Sequence, residues 1–330
     1  MMKLWRKKGR LPLTLALILA MTAGMAGCGN SEAPAEGKTE ETAGETTEKE
    51  ETVSEEQTES DVLSIEEQVL LEWEGLTVTA TGIDENSHSA LKLLVENDTS
   101  YGIDLEVAEM YVNGCCMFTS DPGNSIGEVP AGKKLNASIN FNQGVNGFLE
   151  KAGIEEVGSI ELKFIVRDSS QDVYDDASAL YTSEVITVKT SAYEDMDTEA
   201  IAEGKELYNQ NGIRIVAKEL SAYAGMDYNY ALFLYIENST DKEVAVDCYD
   251  VSVDGFVKGD AAGTLCWIPA GRYTVTGLCV LCDEEVPNED ALKDVKEMEF
   301  GLKIYDSATW AWGYDDTGLL ADTGMLVYEP

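Results

Sequence analysis

Leu91-Lys92-Leu93-Leu94-Val95-Glu96-Asn97 and Leu232-Phe233-Leu234-Tyr235-Ile236-Glu237-Asn238 are one segment written twice, 141 residues apart. The blocks around them return as well. Gly75-Leu76-Thr77-Val78 recurs as Gly212-Ile213-Arg214-Ile215, and Val112-Asn113-Gly114 as Val253-Asp254-Gly255. Val129-Pro130-Ala131-Gly132-Lys133 recurs as Ile268-Pro269-Ala270-Gly271-Arg272, residues 160–168 as 298–306, and Tyr174-Asp175-Asp176 as Tyr314-Asp315-Asp316. The offset stays between 137 and 141 through these ordered blocks. Constant order at near-constant spacing marks a duplicated structural unit.

Each unit reads as β. Leu76, Val78 and Ala80 alternate with Thr77, Thr79 and Thr81, and Ile213, Ile215 and Ala217 alternate with polar neighbours, the period of a half-buried strand. Ile103, Leu105 and Val107 keep that period in the first copy, as Val244, Val246 and Cys248 do in the second. Asn113-Gly114 and Asp254-Gly255 are turn dipeptides suited to positive φ. The Pro-Ala-Gly blocks mark a second bend before strands over residues 135–141 and 273–281. Short helices are expected near residues 147–152 and 288–292. About seven short strands in some 120 residues predict an all-β fold: two tandem antiparallel immunoglobulin-like β-sandwich domains, residues 62–192 and 193–330.

What precedes the repeats sets the address. Lys3, Arg6, Lys7, Lys8 and Arg10 lead into an apolar run from Leu11 to Met21, the n-region and h-region of a secretory signal over residues 1–27. The run is too short to span a bilayer comfortably. Met25-Ala26-Gly27-Cys28 has the form of a bacterial lipobox, so Cys28 is the expected lipidation site. The two acyl chains of a diacylglyceryl group give stable anchoring where one would not. The protein is therefore expected at the cell membrane, on its extracellular face. Residues 28–61 follow as a linker of Glu, Thr, Ser, Ala and Gly that cannot bury enough surface to order itself. As a flexible coil of about 33 residues it would span roughly 30 Å.

Charge limits the partners. The chain carries 62 acidic and 23 basic residues, and loss of the five basic leader residues takes the net charge from −39 to −44. Such a field repels nucleic acid and anionic lipid. An extracellular protein, a glycan, metal cations or a cationic peptide remain compatible, and keeping an exported protein soluble is the plainer use of such a surface.

The lipobox, the acidic tether and the series of an apolar strand ending Glu-Asn, Val-Asn/Asp-Gly and Pro-Ala-Gly-Lys/Arg resemble uncharacterised lipoproteins of clostridial bacteria. Their repeats are similar to the immunoglobulin-like fold of a secreted mycobacterial antigen family. The resemblance covers about residues 62–330 and rests on turn and core residues, so it implies a fold and carries over no catalytic residue.

Residues with reactive chemistry are sparse. His88 is the single histidine, in a polar turn without a second one beside it, and no catalytic residue is assigned. A carboxylate-pair hydrolase needs only two acids and stays as the alternative class. Cys115, Cys116, Cys248, Cys266, Cys279 and Cys282 read as free thiols, as one or more disulfides, or as a zinc set. In the repeat alignment Cys248 faces Val107, and Cys115 and Cys116 face Phe256 and Val257, which favours small core hydrophobes. Asp283-Glu284-Glu285 and the repeated Tyr-Asp-Asp offer oxygen ligands of the kind calcium takes, though without EF-hand spacing. No metal or cofactor is assigned. One aromatic cluster belongs to the second copy alone: Trp310, Trp312 and Tyr314 alternate, and Asp315 and Asp316 follow. On an extended hairpin they would form a row able to stack on a sugar or a cation. Folded back onto their own sandwich or the first domain, the same rings would be packing residues.

Overall fold

The structure is a computed structural model that describes residues 63–84, 89–142, 148–172, 178–222, 230–257, 263–281, 294–310 and 316–330. The leader, Cys28, the acidic linker, His88, the second expected helix, Cys282, the Asp283-Glu284-Glu285 cluster and the Tyr174-Asp175-Asp176 block lie outside the described residues. The first repeat runs β1 (Gln68–Trp73), β2 (Leu76–Ile83), β3 (Ala90–Asn97), β4 (Ile103–Val112), β5 (Cys115–Val129), β6 (Lys133–Asn140), α1 (Phe148–Ala152), β7 (Ser159–Asp168), β8 (Ala179–Thr182) and β9 (Ile186–Lys189). The second runs β10 (Lys205–Gln210), β11 (Ile213–Ala222), β12 (Tyr230–Asn238), β13 (Val244–Val253), β14 (Phe256–Val257), β15 (Gly263–Ile268), β16 (Arg272–Leu281), β17 (Met298–Asp306) and β18 (Leu319–Tyr328).

Both repeats use one plan. In the first, the sheet β1-β2-β3-β6 faces a sheet in which β4 lies between β5 and β7, and β8 and β9 pair with β7. In the second, β10-β11-β12-β16 is the counterpart of the former, and β13 and β17, with β14, β15 and β18, are the counterpart of the latter. Pairing within each repeat is antiparallel, as the alternation predicts. Even an irregularity is duplicated: β1 slips register between Val69 and Leu71, and β10 slips at the matching place between Glu206 and Tyr208.

The repeated motifs are the residues that fix the turns. Asn113 and Asp254 both take φ 49°, followed by Gly114 at 81° and Gly255 at 80°, the left-handed pair a two-residue hairpin needs. Asn113 Oδ1 accepts from the backbone N–H groups of Gly158 and Ser159, at 2.8 and 3.0 Å. Asp254 Oδ1 does the same for Lys296 and Glu297, at 2.9 and 3.0 Å. The Asn that ends β3 donates from Nδ2 to the Tyr101 and Val129 carbonyls and accepts from Thr99 N–H. Asn238, ending β12, repeats this with Lys242, Ile268, Pro269 and Thr240. Each buried carboxamide thus ties its strand end to the Pro-Ala-Gly bend.

The two repeats are not separate beads. β16 pairs with β5 in parallel, Tyr273 beside Cys115 and Thr274 beside Cys116, so one sheet of nine strands runs through both copies. β11 and β12 consequently bury both faces. Ile213, Ile215, Leu232, Leu234 and Ile236 fill the second sandwich. Val216, Ala231, Phe233, Tyr235 and Val275 join the apolar cluster that holds the first repeat's core. The connecting segment is held by Lys218, whose Nζ donates to the carbonyls of Ala200, Ile201 and Glu203 at 3.1, 2.8 and 3.2 Å. Burial lowers the pKa of this ammonium, and those three acceptors replace the water it has lost.

Candidate functional site

The parallel junction creates a cleft whose walls come from both repeats. On one side of Trp267 lies an opening of about 390 Å³ between Met117, Phe118 and Thr119 of β5, Leu265 and Cys266 of β15, and Thr276 of β16. On the other side an opening of about 490 Å³ is walled by Ala108 and Glu109 of β4, Lys163 and Ile165 of β7, Thr182 of β8, and Glu243. Trp267 and Thr119 belong to both walls.

Strand register explains why Trp267 stands there. It is the cross-strand partner of Ala245, which on its other side faces Tyr305. The small Ala245 leaves room between two rings, and Trp310 packs against both: its centroid is 5.9 Å from Trp267, edge-on, and 6.4 Å from Tyr305. Edge-to-face contact suits the aromatic quadrupole. Trp267 still keeps 36% of its surface exposed. Trp310 is therefore half-buried support on its own sandwich, and the ring presented to solvent is its neighbour's. Asp316 is exposed and accepts from Lys303 Nζ at 2.7 Å. Trp312, Tyr314 and Asp315 lie outside the described residues.

A polar network adjoins the larger opening and shares Glu109 and Lys163 with its wall. Glu109, Tyr111, Glu161 and Lys163 share one face of the β4–β7 pair, in register Glu109 with Lys163 and Tyr111 with Glu161. Lys163 Nζ reaches Glu109 at 2.7 Å, and the Tyr111 hydroxyl donates to the same carboxylate. From the second repeat, Arg272 lays its guanidinium 4.3 Å from the Tyr111 ring centroid and forks onto Glu161 at 2.8 and 3.3 Å. Such bidentate, stacked contacts are what Arg supplies and Lys does not. Burial and the Glu109 carboxylate push the Tyr111 pKa far above the usual tyrosine range, so this hydroxyl stays protonated and donating. Beside it, Tyr273 Oη donates to the Asn113 carbonyl at 2.5 Å.

The described thiols, two of which, Cys116 and Cys266, line the smaller opening, are quiet ones. Cys115, Cys116, Cys248 and Cys266 are free. Burial pushes Cys115, Cys248 and Cys266 up to about 12, and Cys116 well above its ordinary value. A thiol so shifted is a poor nucleophile at neutral pH. Cys279 belongs to β16, and its side chain and Cys282 lie outside the described residues. Among the described residues no group of three or more His, Cys, Asp or Glu is arranged to hold a metal ion.

Sequence reasoning alone passed over Trp267. The signal was present in the repeat alignment, where Glu128 occupies the corresponding place before Val129-Pro130. Glu109 and Lys163 are cross-strand partners within the first repeat, and only the inter-repeat junction brings Glu243 to the same opening, so no local pattern marked the three as a group.

The described architecture is an all-β, sandwich-like one consistent with the immunoglobulin-like class. No protein-family model matches the chain, and no curated protein sequence matches it. Among solved structures, the SafA pilin of Salmonella enterica in complex with the SafB chaperone is similar over 79% of this chain and 98% of its own, at 10% identity and a TM-score of 0.19. A calcium-binding mutant of Bacteroides uniformis β-glucuronidase 2 is similar over 69% of this chain at 12% identity and a TM-score of 0.17. A second Bacteroides uniformis β-glucuronidase structure covers 67%, also at 12% identity and 0.17. This chain spans about a quarter of the length of either glucuronidase, 26% and 25%. At such values no residue role and no ligand passes from these proteins to this one.

Proposed function

We propose that the protein is a lipid-anchored, extracellular, non-catalytic interaction module that takes its ligand at the inter-repeat cleft, against Trp267. One observation carries the reading: an indole held in place by Trp310 yet 36% exposed stands where two openings meet. A fixed aromatic ring flanked by hydrogen-bonding groups is suited to stack on the apolar face of a sugar or on a cationic side chain. Thr119, Thr182 and Glu243 supply polar groups around it. The net charge of −39 favours a neutral glycan or a cationic peptide over any anionic ligand. The lipobox form of Met25-Ala26-Gly27-Cys28 supports anchoring at the outer face of the membrane, and Cys28→Ser should then release the chain into the medium or leave its leader uncleaved.

The alternative class is an extracellular hydrolase, because Glu109 and Glu243 both line the larger opening. Both carboxylates are already engaged, Glu109 by Lys163 and Tyr111, and Glu243 by the Ser307 hydroxyl at 2.7 Å. Glu109, fixed as the ion-pair partner of Lys163, is poorly placed to shuttle a proton. The deciding experiment titrates neutral oligosaccharides and a Lys/Arg-rich peptide against the wild type and Trp267→Ala, following the heat of binding by calorimetry. Saturable binding lost in the variant supports the reading. Binding unchanged by the substitution overturns the site. Turnover of a glycoside that Glu243→Gln abolishes would instead favour the hydrolase.

A further inference from the structure

The intramolecular junction has two halves, and each repeat carries the counterpart of the half it does not use. In the first repeat, the strand leaving the Asn113-Gly114 turn offers its outer edge at Cys115 and Cys116 to β16, and both residues are buried, at 0% and 2% exposure. In the second repeat, β14 leaves the matching Asp254-Gly255 turn in the same register: Phe256 and Val257 pair with Val253 and Ser252 as Cys115 and Cys116 pair with Val112 and Tyr111. Among the described residues nothing pairs with the outer edge of β14. Phe256 and Val257 are the most exposed large hydrophobic residues described, at 73% and 79%. The complementary half is open too. β6 pairs with β3 as β16 pairs with β12, starting from Lys133 where β16 starts from Arg272, and among the described residues no other strand pairs with its outer edge. The ion pair of the junction also has its counterpart: Arg272 binds Glu161, and the alignment sets Lys133 for Arg272 and Glu299 for Glu161.

We infer that a second copy of this chain docks the start of its β6 alongside β14, with Lys133 of one copy meeting Glu299 of the other, repeating between molecules the parallel junction found within one. Continuity with the existing interface selects this occupant over an unrelated strand, since two edges, one turn and one charge pair all recur at aligned positions. The contact is heterologous: each copy offers a different edge at each end. Such an interface does not close on itself and generates open rows of molecules. For lipid-anchored copies it would produce lateral rows, adding effective concentration to a weak ligand site. Exposed lysines on β6 restrain indiscriminate strand pairing and leave acidic partners favoured.

The test is sedimentation velocity on residues 57–330, the compact unit that contains both cores, across a wide concentration range. Oligomers beyond the dimer that grow with concentration are expected, and Phe256→Lys should abolish them. Lys133→Glu and Glu299→Lys should each weaken association by at least about tenfold, because each juxtaposes like charges. An equimolar mixture of these two variants should associate again, since every contact in an alternating row pairs opposite charges; mere hydrophobic stickiness would not show this rescue. A chain that remains monomeric at every concentration overturns the inference and leaves the edge to a different protein. So does association that survives Phe256→Lys.

Discussion

Asn238 shows how a residue that is plain in the sequence acquires its role in the structure. It is wholly buried, and its carboxamide joins three carbonyls and the Thr240 N–H, satisfying a bend that would otherwise bury backbone groups without partners. The Glu-Asn ending and the Pro-Ala-Gly block could be read as repeats, but sequence does not show that one motif is the hydrogen-bonding partner of the other. Asn238→Ala should destabilise the fold by about 2–3 kcal/mol, the loss expected when buried acceptors are stranded, and Asn97→Ala should behave alike. Chemical denaturation checks both. A change under about 0.5 kcal/mol would mean that water replaces the side chain, and that the recurrence of Asn has another cause. The turn residues were the more legible kind: positive φ at Asn113-Gly114 and Asp254-Gly255 follows from residue type alone.

Among the elements, strands with one wet face were readable and strands buried on both faces were half readable. β3 alternates as a half-buried strand should, and on β2 the residues that period two sets inward, Leu76, Val78 and Ala80, are buried, with Thr79 between them buried as well. β12 carries apolar residues at nearly every position, which announces burial without saying by what. The difference between the copies carries that information: Lys92 lies on β3, half exposed, and buried Phe233 stands in its place on β12. The β13–β17–β18 sheet has a pH-sensitive clasp of its own. Tyr249 lies across Gly301, its cross-strand partner, where any Cβ would collide with the ring. Its hydroxyl donates to Asp322 Oδ1 at 2.6 Å, and Gly324 N–H adds a second donor at 2.9 Å. The Tyr249 hydroxyl holds the Asp322 carboxyl below the ordinary 3.8, while burial, with Asp322 adding to it, pushes Tyr249 up to about 12. A lowered carboxyl contributes stability above its unfolded value that is lost as pH falls through the folded one. A raised phenol contributes below 10.0 and loses its share as pH climbs toward 12. Tyr249→Phe should therefore cost about 1 kcal/mol at neutral pH, a modest figure because the bond is partly exposed. Melting curves should show that difference shrinking below pH 3.8. A deficit that is flat from pH 2 to 8 would assign it to packing over Gly301 instead.

For the whole molecule, the decisive question is whether two repeats make two cooperative units or one. The sequence presents each copy with its own turns, strands and core pattern, so independent folding of about residues 62–192 and 200–330 is the natural expectation. The structure adds what the pattern could not carry: a parallel strand pair, the Arg272–Glu161 fork, the Lys151–Glu219 contact at 2.7 Å, and an apolar face of β11, β12 and β16 packed into the first repeat's cluster. Val216, Phe233, Tyr235 and Val275 would all face water if the second repeat stood alone. Exposed apolar faces of that kind associate or aggregate rather than persist. Residues 57–330 should accordingly unfold in a single transition, with one midpoint by fluorescence and by circular dichroism. Phe233→Lys gives the sharper test, because it places in the second copy the residue type that the first copy has at Lys92. In the two-repeat unit it should cost at least about 3 kcal/mol, the loss of a buried aromatic with an uncompensated charge added. In isolated residues 193–330 the same position is exposed, so the substitution should raise solubility and leave the melting temperature unchanged or higher. Opposite signs in the two contexts establish that the outer face of β12 is an interface. Equal destabilisation in both would show that Phe233 supports only its own sandwich, and the repeats would then be independent units.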